Sequence, residues 1–160
     1  MMSKEKKPLI VYYSWSGNTK AIAQMIQELT TGDIYQIETR NPYPTDYNQT
    51  VDVAKQELRA NSRPEFMEQK INIDNYDVIY LGYPNWWGTM PMIVYTFLES
   101  QDLSGKTIIP FCTHGGGGTG KSVKEIAICC PKATVGNVLS IYGRRKAKNA
   151  IENWLKSQKV

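Results

Sequence analysis

Short apolar runs alternate with helix-period stripes along nearly the whole 160-residue chain, and this alternation constrains the fold more than any other feature. It predicts a parallel sheet covered by helices on both faces. "PLIVYY" (Pro8 to Tyr13) reads as a strand buried on both sides, because strands lying under helices show continuous apolar runs. After the turn "SWSGNT", Ile22, Met25, Ile26 and Leu29 recur at i, i+3, i+4, i+7, one face of a helix that Gly32 ends. "DIYQIET" (Asp33 to Thr39) is a second strand. From Asn41 to Asn75 the pattern weakens: "NPYPTDYN" is a turn, Val51, Ala54 and Leu58 suggest a helix, and "NSRPEFMEQKIN" reads as loop. "DVIYLGYP" (Asp77 to Pro84) is the strongest strand, and Pro91 sits well as the first residue of a helix that turns Ile93, Val94, Phe97 and Leu98 inward. "TIIPFCTH" is the fourth strand. Val123, Ile126, Ala127 and Cys130 repeat the helical stripe, "ATVGNVLSI" holds a fifth strand, and Ala147, Ala150, Ile151 and Trp154 face inward from a last helix.

These are five β-α units without an internal repeat or linker, so residues 1–160 are expected to form one domain. The expected fold class is α/β, a doubly wound five-stranded parallel sheet in the order 2-1-3-4-5. Ligands of such sheets bind beyond the carboxyl ends of the strands, where the strand order reverses. Three loops must therefore build any site: Ser14 to Thr19, Pro84 to Thr89, and Thr113 to Gly120.

Composition narrows the function. Apolar residues at 41% and charged residues at 21% fit an ordinary globular protein. The apolar run Leu9 to Tyr13 is too short for a signal-peptide core and no later run reaches membrane-spanning length, so a cytoplasmic protein without membrane partners is expected. Three cysteines without a C-x-x-C and one histidine, His114, leave little for a metal site, and Cys129 and Cys130 read as small buried residues at a helix end. Residues 1–80 carry nine basic and eleven acidic side chains, a net of −2, and residues 81–160 carry ten and four, a net of +6. The cluster Arg144, Arg145, Lys146 and Lys148 reads as a solvated face, and no recognition motif accompanies it, so nucleic acid is not expected as a partner.

"THGGGGTGKS" contains the phosphate-loop pattern G-x-x-x-x-G-K-[ST] at Gly115, Gly120, Lys121 and Ser122. The context rejects it, because the one convincing strand after Ser122, "VLSIYG", has no acidic residue at its end to hold Mg²⁺. The loop "SWSGNT" is a better anion cradle. It places Ser14, Ser16, Asn18 and Thr19 around Gly17 directly before a helix, whose N-terminus offers unpaired N–H groups and a positive dipole end. A plain helix cap needs only one such residue. "PNWWG" puts Trp86 and Trp87 on a loop between Pro84 and Gly88, one expected to pack against its neighbours and the other to stack on an aromatic ring. The glycines of the third loop let the backbone lie flat against a planar ligand and donate N–H groups to its edge. A phosphate, a stacked ring and backbone donors together describe flavin mononucleotide (FMN).

The same residues carry a resemblance. "SWSGNT" resembles the [ST]-x-[ST]-G-x-[ST] phosphate loop of the flavodoxin family, "YPNWWGTMP" resembles the tryptophan-bearing flavin loop of its flavodoxin-like branch, and "GKTIIPFCTHGGGG" is similar to that branch's third loop. The resemblance spans essentially the whole chain. It implies that Ser14, Trp15, Ser16, Gly17, Asn18 and Thr19 hold the FMN phosphate. It further implies that the loop Pro84, Asn85, Trp86, Trp87 and Gly88 binds the cofactor, with Trp86 or Trp87 flanking the isoalloxazine, and that Thr113, His114, Gly115, Gly116, Gly117 and Gly118 meet its pyrimidine side. His114 either bonds the flavin edge or is a strand-end residue satisfied by backbone. Electron-carrier flavodoxins are acidic with a stacking tyrosine in the third loop, and this chain has neither, which leaves one flavin face open. The expected function is electron transfer through FMN, with an NAD(P)H-dependent quinone or flavin reductase on the same fold as the alternative. The partners expected are a redox protein or a small quinone or nicotinamide.

Overall fold

A computed structural model describes residues 7–68, 71–142 and 148–158. Its parallel sheet contains β1 (Leu9–Tyr12), β2 (Asp33–Gln36), β3 (Val78–Pro84), β4 (Thr107–His114), β5 (Thr134–Val135) and β6 (Leu139–Tyr142). The order is β2-β1-β3-β4, and β5 and β6 share the outer edge of β4. This is the expected 2-1-3-4-5 arrangement with its last position divided in two. The register pairs Leu9 with Ile79 and Val78 with Thr107, so the strands end together and their following loops converge.

The period of two along each strand distributes the core. Leu9, Val11, Ile79, Leu81, Tyr83, Ile108 and Cys112 point to one face, under α3 (Met92–Ser100) and α4 (Ser122–Cys129). Ile10, Tyr12, Tyr80, Ile109 and Phe111 point to the other, under α1 (Asn18–Thr30) and α5 (Lys148–Ser157). The remaining helix, α2 (Tyr47–Arg59), begins at Asp46, whose carboxylate accepts the Gln49 N–H at 2.9 Å.

Several expected inward positions are corrected. On α1 the buried stripe is Thr19, Ile22, Ala23 and Ile26, and Leu29 is 39% exposed. At about 1.5 Å per residue the helix is longer than the four-residue β1 beneath it, so its last turn overhangs the sheet. The helix is closed by Thr31 in the left-handed conformation (φ 55°), not by Gly32. On α4 the inward positions are Ser122, Ile126 and Cys130, and Ala127 is exposed. The reason is an anchor: the buried Ser122 hydroxyl receives the Tyr83 hydroxyl at 2.9 Å and donates to the Thr119 carbonyl at 2.7 Å, which turns the helix by one position. On α5, Ile151 and Trp154 are buried while Ala150 lies on the solvent side; Ala147 falls outside the described residues, as do Arg144, Arg145 and Lys146 of the basic cluster. Cys130 is buried and Cys129 half-buried at the end of α4, the structural placement expected of them. No helix of the described residues is long and apolar enough to cross a membrane.

Candidate functional site

The first loop joins β1 to α1. Gly17 caps the helix with φ 97°, a value open to glycine because a Cβ would strike the following carbonyl. Gly17 itself has no side chain to cap this helix end and no acidic residue occupies its first turn, in contrast to the Asp46 carboxylate on α2, so no carboxylate of the first turn offsets the positive end of α1. Ser14 Oγ accepts the Gly17 N–H at 3.1 Å, and Ser16 Oγ lies 3.5 Å from the Asn18 nitrogen. The fourth polar side chain behaves differently. Thr19 is buried, and its hydroxyl meets the Thr113 hydroxyl at 2.8 Å, tying the first loop to the third.

The second loop is a tight turn, Trp86 to Thr89, closed by Trp86 N–H to Thr89 O at 2.9 Å and Thr89 N–H to Trp86 O at 3.3 Å. Its two central residues, Trp87 (φ 57°) and Gly88 (φ 82°), are both left-handed, as a type I′ turn demands. A tryptophan there is uncommon and strained. The two indoles part company. Trp86 packs edge-on against Tyr43 (5.0 Å between ring centroids) and Tyr13 (5.7 Å), whereas Trp87 is 47% exposed. The Trp87 indole N–H donates to the Val51 carbonyl of α2 at 3.0 Å, and Lys55 Nζ lies 5.1 Å from its ring.

The third loop interlocks with the second. Lys121 N–H donates to the Gly88 carbonyl at 2.8 Å, and a Cβ on Gly120 would lie 2.1 Å from that carbonyl oxygen. Asn85 bridges the loops: its Oδ1 accepts the Gly88 N–H at 2.9 Å and its Nδ2 donates to the Gly118 carbonyl at 2.8 Å. The phosphate-loop pattern is thereby accounted for without a phosphate. Gly120 is required by contact with Gly88, Ser122 is buried on Tyr83, and the Lys121 ammonium is 60% exposed beside Glu125 at 3.9 Å. His114 Nδ1 accepts the Gly116 N–H at 3.0 Å and its ring meets Tyr142 edge-on at 5.6 Å. With Nδ1 accepting, the neutral ring carries its proton on Nε2.

The three loops enclose a cleft of about 530 Å³, within the range of small-molecule and cofactor sites. Trp15, Ser16 and Asn18 line it from the first loop, Pro84, Asn85, Trp86 and Trp87 from the second, and Thr113, His114 and Gly115 from the third. Ser14, Gly17, Thr19, Gly88, Gly116, Gly117 and Gly118 do not line it, and Ser14 opens instead on a neighbouring hollow of about 430 Å³ near Tyr43. One wall is absent from the sequence reading: Tyr47, Thr50, Val51 and Ala54 of α2, with Tyr142 at the end of β6. The apolar stripe of α2 was legible, but the Trp87–Val51 hydrogen bond that brings the helix to the cleft joins residues 36 apart.

No described lining residue is a carboxylate. A half-buried acid lies beside Tyr43, which packs on Trp86: Tyr43 donates to Glu57 at 2.6 Å; burial raises the Glu57 carboxyl, and burial with that hydrogen bond holds Tyr43 far above the ordinary phenol value. Burial likewise pushes the Cys112 thiol up to about 12 and those of Cys129 and Cys130 to about 11, so all three are neutral thiols at physiological pH and poor nucleophiles. Among the described residues the cleft is thus an aromatic slot without carboxylates, with the positive end of α1 at one extremity. A planar ring carrying an anionic tail fits that donor set.

A family model described as Flavodoxin matches residues 7–158. No curated protein matches the chain. Among solved structures, a candidate flavoprotein from Bacteroides eggerthii is 32% identical over 98% of this chain and 99% of its own, with a TM-score of 0.86. A flavoprotein from Lactobacillus acidophilus, solved in complex with FMN, is 25% identical over 94% of this chain and 99% of its own, with a TM-score of 0.75. Oxidised flavodoxin 2 from Bacillus cereus, at 22% identity over 95% and 99% of the two chains and a TM-score of 0.57, shares the fold.

Proposed function

Because this chain belongs to the flavodoxin family, we propose that its cleft binds FMN and that the protein works by electron transfer. The observation that carries the reading is the coincidence of two features in one cleft: the N-terminus of α1, with no carboxylate in its first turn, and the exposed indole of Trp87. Bound FMN supplies the electron-accepting and electron-donating chemistry, and the chain supplies binding, orientation and exclusion of water. The N-terminal backbone of α1 and the Ser16 hydroxyl hold the phosphate. Trp87 and Tyr47 cover the ring, and Thr113 to Gly118 meet its polar edge. Residues 1–160 act as one flavodoxin-like domain that exchanges electrons with a partner protein or a small quinone or nicotinamide.

The test is the visible absorption spectrum of the purified protein, followed by titration of the flavin-free chain with FMN and with riboflavin. Flavin bands and tighter binding of FMN than of riboflavin are expected. Replacing Ser16 by alanine should narrow that preference, since only FMN carries the phosphate; equal loss for both flavins would place the phosphate elsewhere.

A further inference from the structure

We propose that Asn85 is the positioning residue of the flavin end of the cleft: it holds Trp87 in its left-handed turn and locks the second and third loops into one unit. The proposal rests on the FMN reading for its functional consequence but not for its geometry. Three hydrogen bonds define it. The Asn85 N–H donates to the Thr113 carbonyl at 2.8 Å, continuing the β3–β4 pairing one residue past the sheet. The side-chain amide then divides its two ends, with Oδ1 on the Gly88 N–H and Nδ2 on the Gly118 carbonyl. Loop three runs so close to this amide that a Cβ on Gly117 would lie 3.2 Å from Nδ2.

The Oδ1 bond matters because the turn it closes is an unfavourable one for its sequence. Type I′ turns favour Asn-Gly or Gly-Gly in the centre, and here the first central residue is Trp87, whose side chain disfavours φ 57°. The strain persists only if neighbouring bonds over-determine the turn. Two do so from the turn's own ends, Trp86 to Thr89 and back, and Asn85 Oδ1 adds a third on the Gly88 N–H. Release of that bond lets Trp87 relax toward ordinary φ, which carries the indole away from the Val51 carbonyl and opens the mouth of the cleft. Loss of the Nδ2 bond separately frees the third loop.

Two substitutions separate these effects. Asn85→Ala removes both side-chain bonds, whereas Asn85→Asp keeps an oxygen for the Gly88 N–H and loses the donor to Gly118. Three quantities are read for each variant: affinity for FMN and for riboflavin, melting temperature, and hydrogen exchange of the Trp87 indole N–H in the flavin-free chain. The Trp154 indole, bonded to the Asn137 carbonyl at 2.7 Å on the far side of the sheet, is the internal control for global loosening. Asn85→Ala should weaken FMN and riboflavin by the same factor, about tenfold to a hundredfold, and speed exchange at Trp87 but not at Trp154. Asn85→Asp should keep Trp87 protected and weaken the flavins less. Wild-type flavin affinity in Asn85→Ala overturns the proposal, and so does weaker binding with Trp87 exchange unchanged, which would make Asn85 a direct ligand. Equal acceleration at Trp87 and Trp154 reduces it to a general stability effect and also overturns it. If Asn85→Ala fails to fold, Asn85→Asp carries the test through loss of Trp87 protection, which contradicts it. If the wild-type chain binds no flavin, the FMN reading falls while the exchange comparison still decides the clamp.

Discussion

Gly120→Ala offers the sharpest test of why the glycine-rich loop has its sequence. The added methyl carbon would lie 2.1 Å from the Gly88 carbonyl oxygen, 2.6 Å from its carbon and 2.8 Å from its Cα, all backbone atoms that cannot swing aside. Overpacking of this kind typically costs about 1–3 kcal/mol. Gly120 also has φ 54°, where alanine costs about 1–2 kcal/mol more. The sum is about 2–5 kcal/mol, a large part of the net stability of a domain this size and equivalent to about 4–20 °C in melting temperature. Urea or thermal unfolding followed by circular dichroism measures it, and flavin titration should show weaker binding because the Gly88–Lys121 contact carries the second loop. Lys121→Ala is the paired control: its ammonium is 60% exposed, so stability and FMN affinity should change by less than about 0.5 kcal/mol. A Gly120→Ala protein that melts like the wild type, or a Lys121→Ala protein that loses its ligand, would refute the interlock and return the loop to phosphate binding.

Three further outcomes follow from the same geometry. Thr19→Val leaves the buried Thr113 hydroxyl without its 2.8 Å partner and should destabilise by about 1–3 kcal/mol, read by urea unfolding. Trp86→Ala should cost about 3 kcal/mol through loss of the Tyr13–Tyr43 packing, whereas Trp87→Ala should cost less than about 1 kcal/mol yet weaken FMN, a separation that unfolding and titration would reveal together. Burial raises the Cys112, Cys129 and Cys130 thiols from an ordinary value of 9.0 to about 12, 11 and 11, so the folded state holds protons that the unfolded state releases. The stability they contribute is complete below pH 9 and is lost as pH rises toward 11 and 12; a melting temperature flat across that interval would contradict the burial argument.

The central strands β1, β3 and β4 were legible in this chain because they are buried on both faces and read as nearly unbroken apolar runs; β4 begins and ends where "TIIPFCTH" does. The division of the fifth strand was not legible, since the chain leaves the β4 ladder only between Gly136 and Leu139, a break that the β4 register alone defines. Helix faces were half legible: periodicity identified α1 and α4, but the rotation of each was set by an overhanging turn and by the Ser122–Tyr83 hydrogen bond, neither of which is a local signal. The three loops that line the cleft were legible from strand-end position and residue chemistry. The α2 wall was not, because a helix meets the cleft through one indole hydrogen bond across 36 residues. Thr19 shows the limit of motif reading, for the hydroxyl that the pattern assigns to phosphate is paired with Thr113 in this structure.

The divided fifth strand has a consequence for how the molecule meets others. Unpaired strand edges are templates on which a neighbouring chain can add a strand and seed aggregation. Here the outer edge is broken into a two-residue and a four-residue piece, and at the break the Asn137 carbonyl is taken by the Trp154 indole rather than left open. At the opposite edge, the segment around Phe66 pairs antiparallel with Thr39 just past β2, with the Met67 N–H on the Glu38 carbonyl at 2.7 Å. Neither margin thus presents a long, flat, uninterrupted edge to a neighbouring strand.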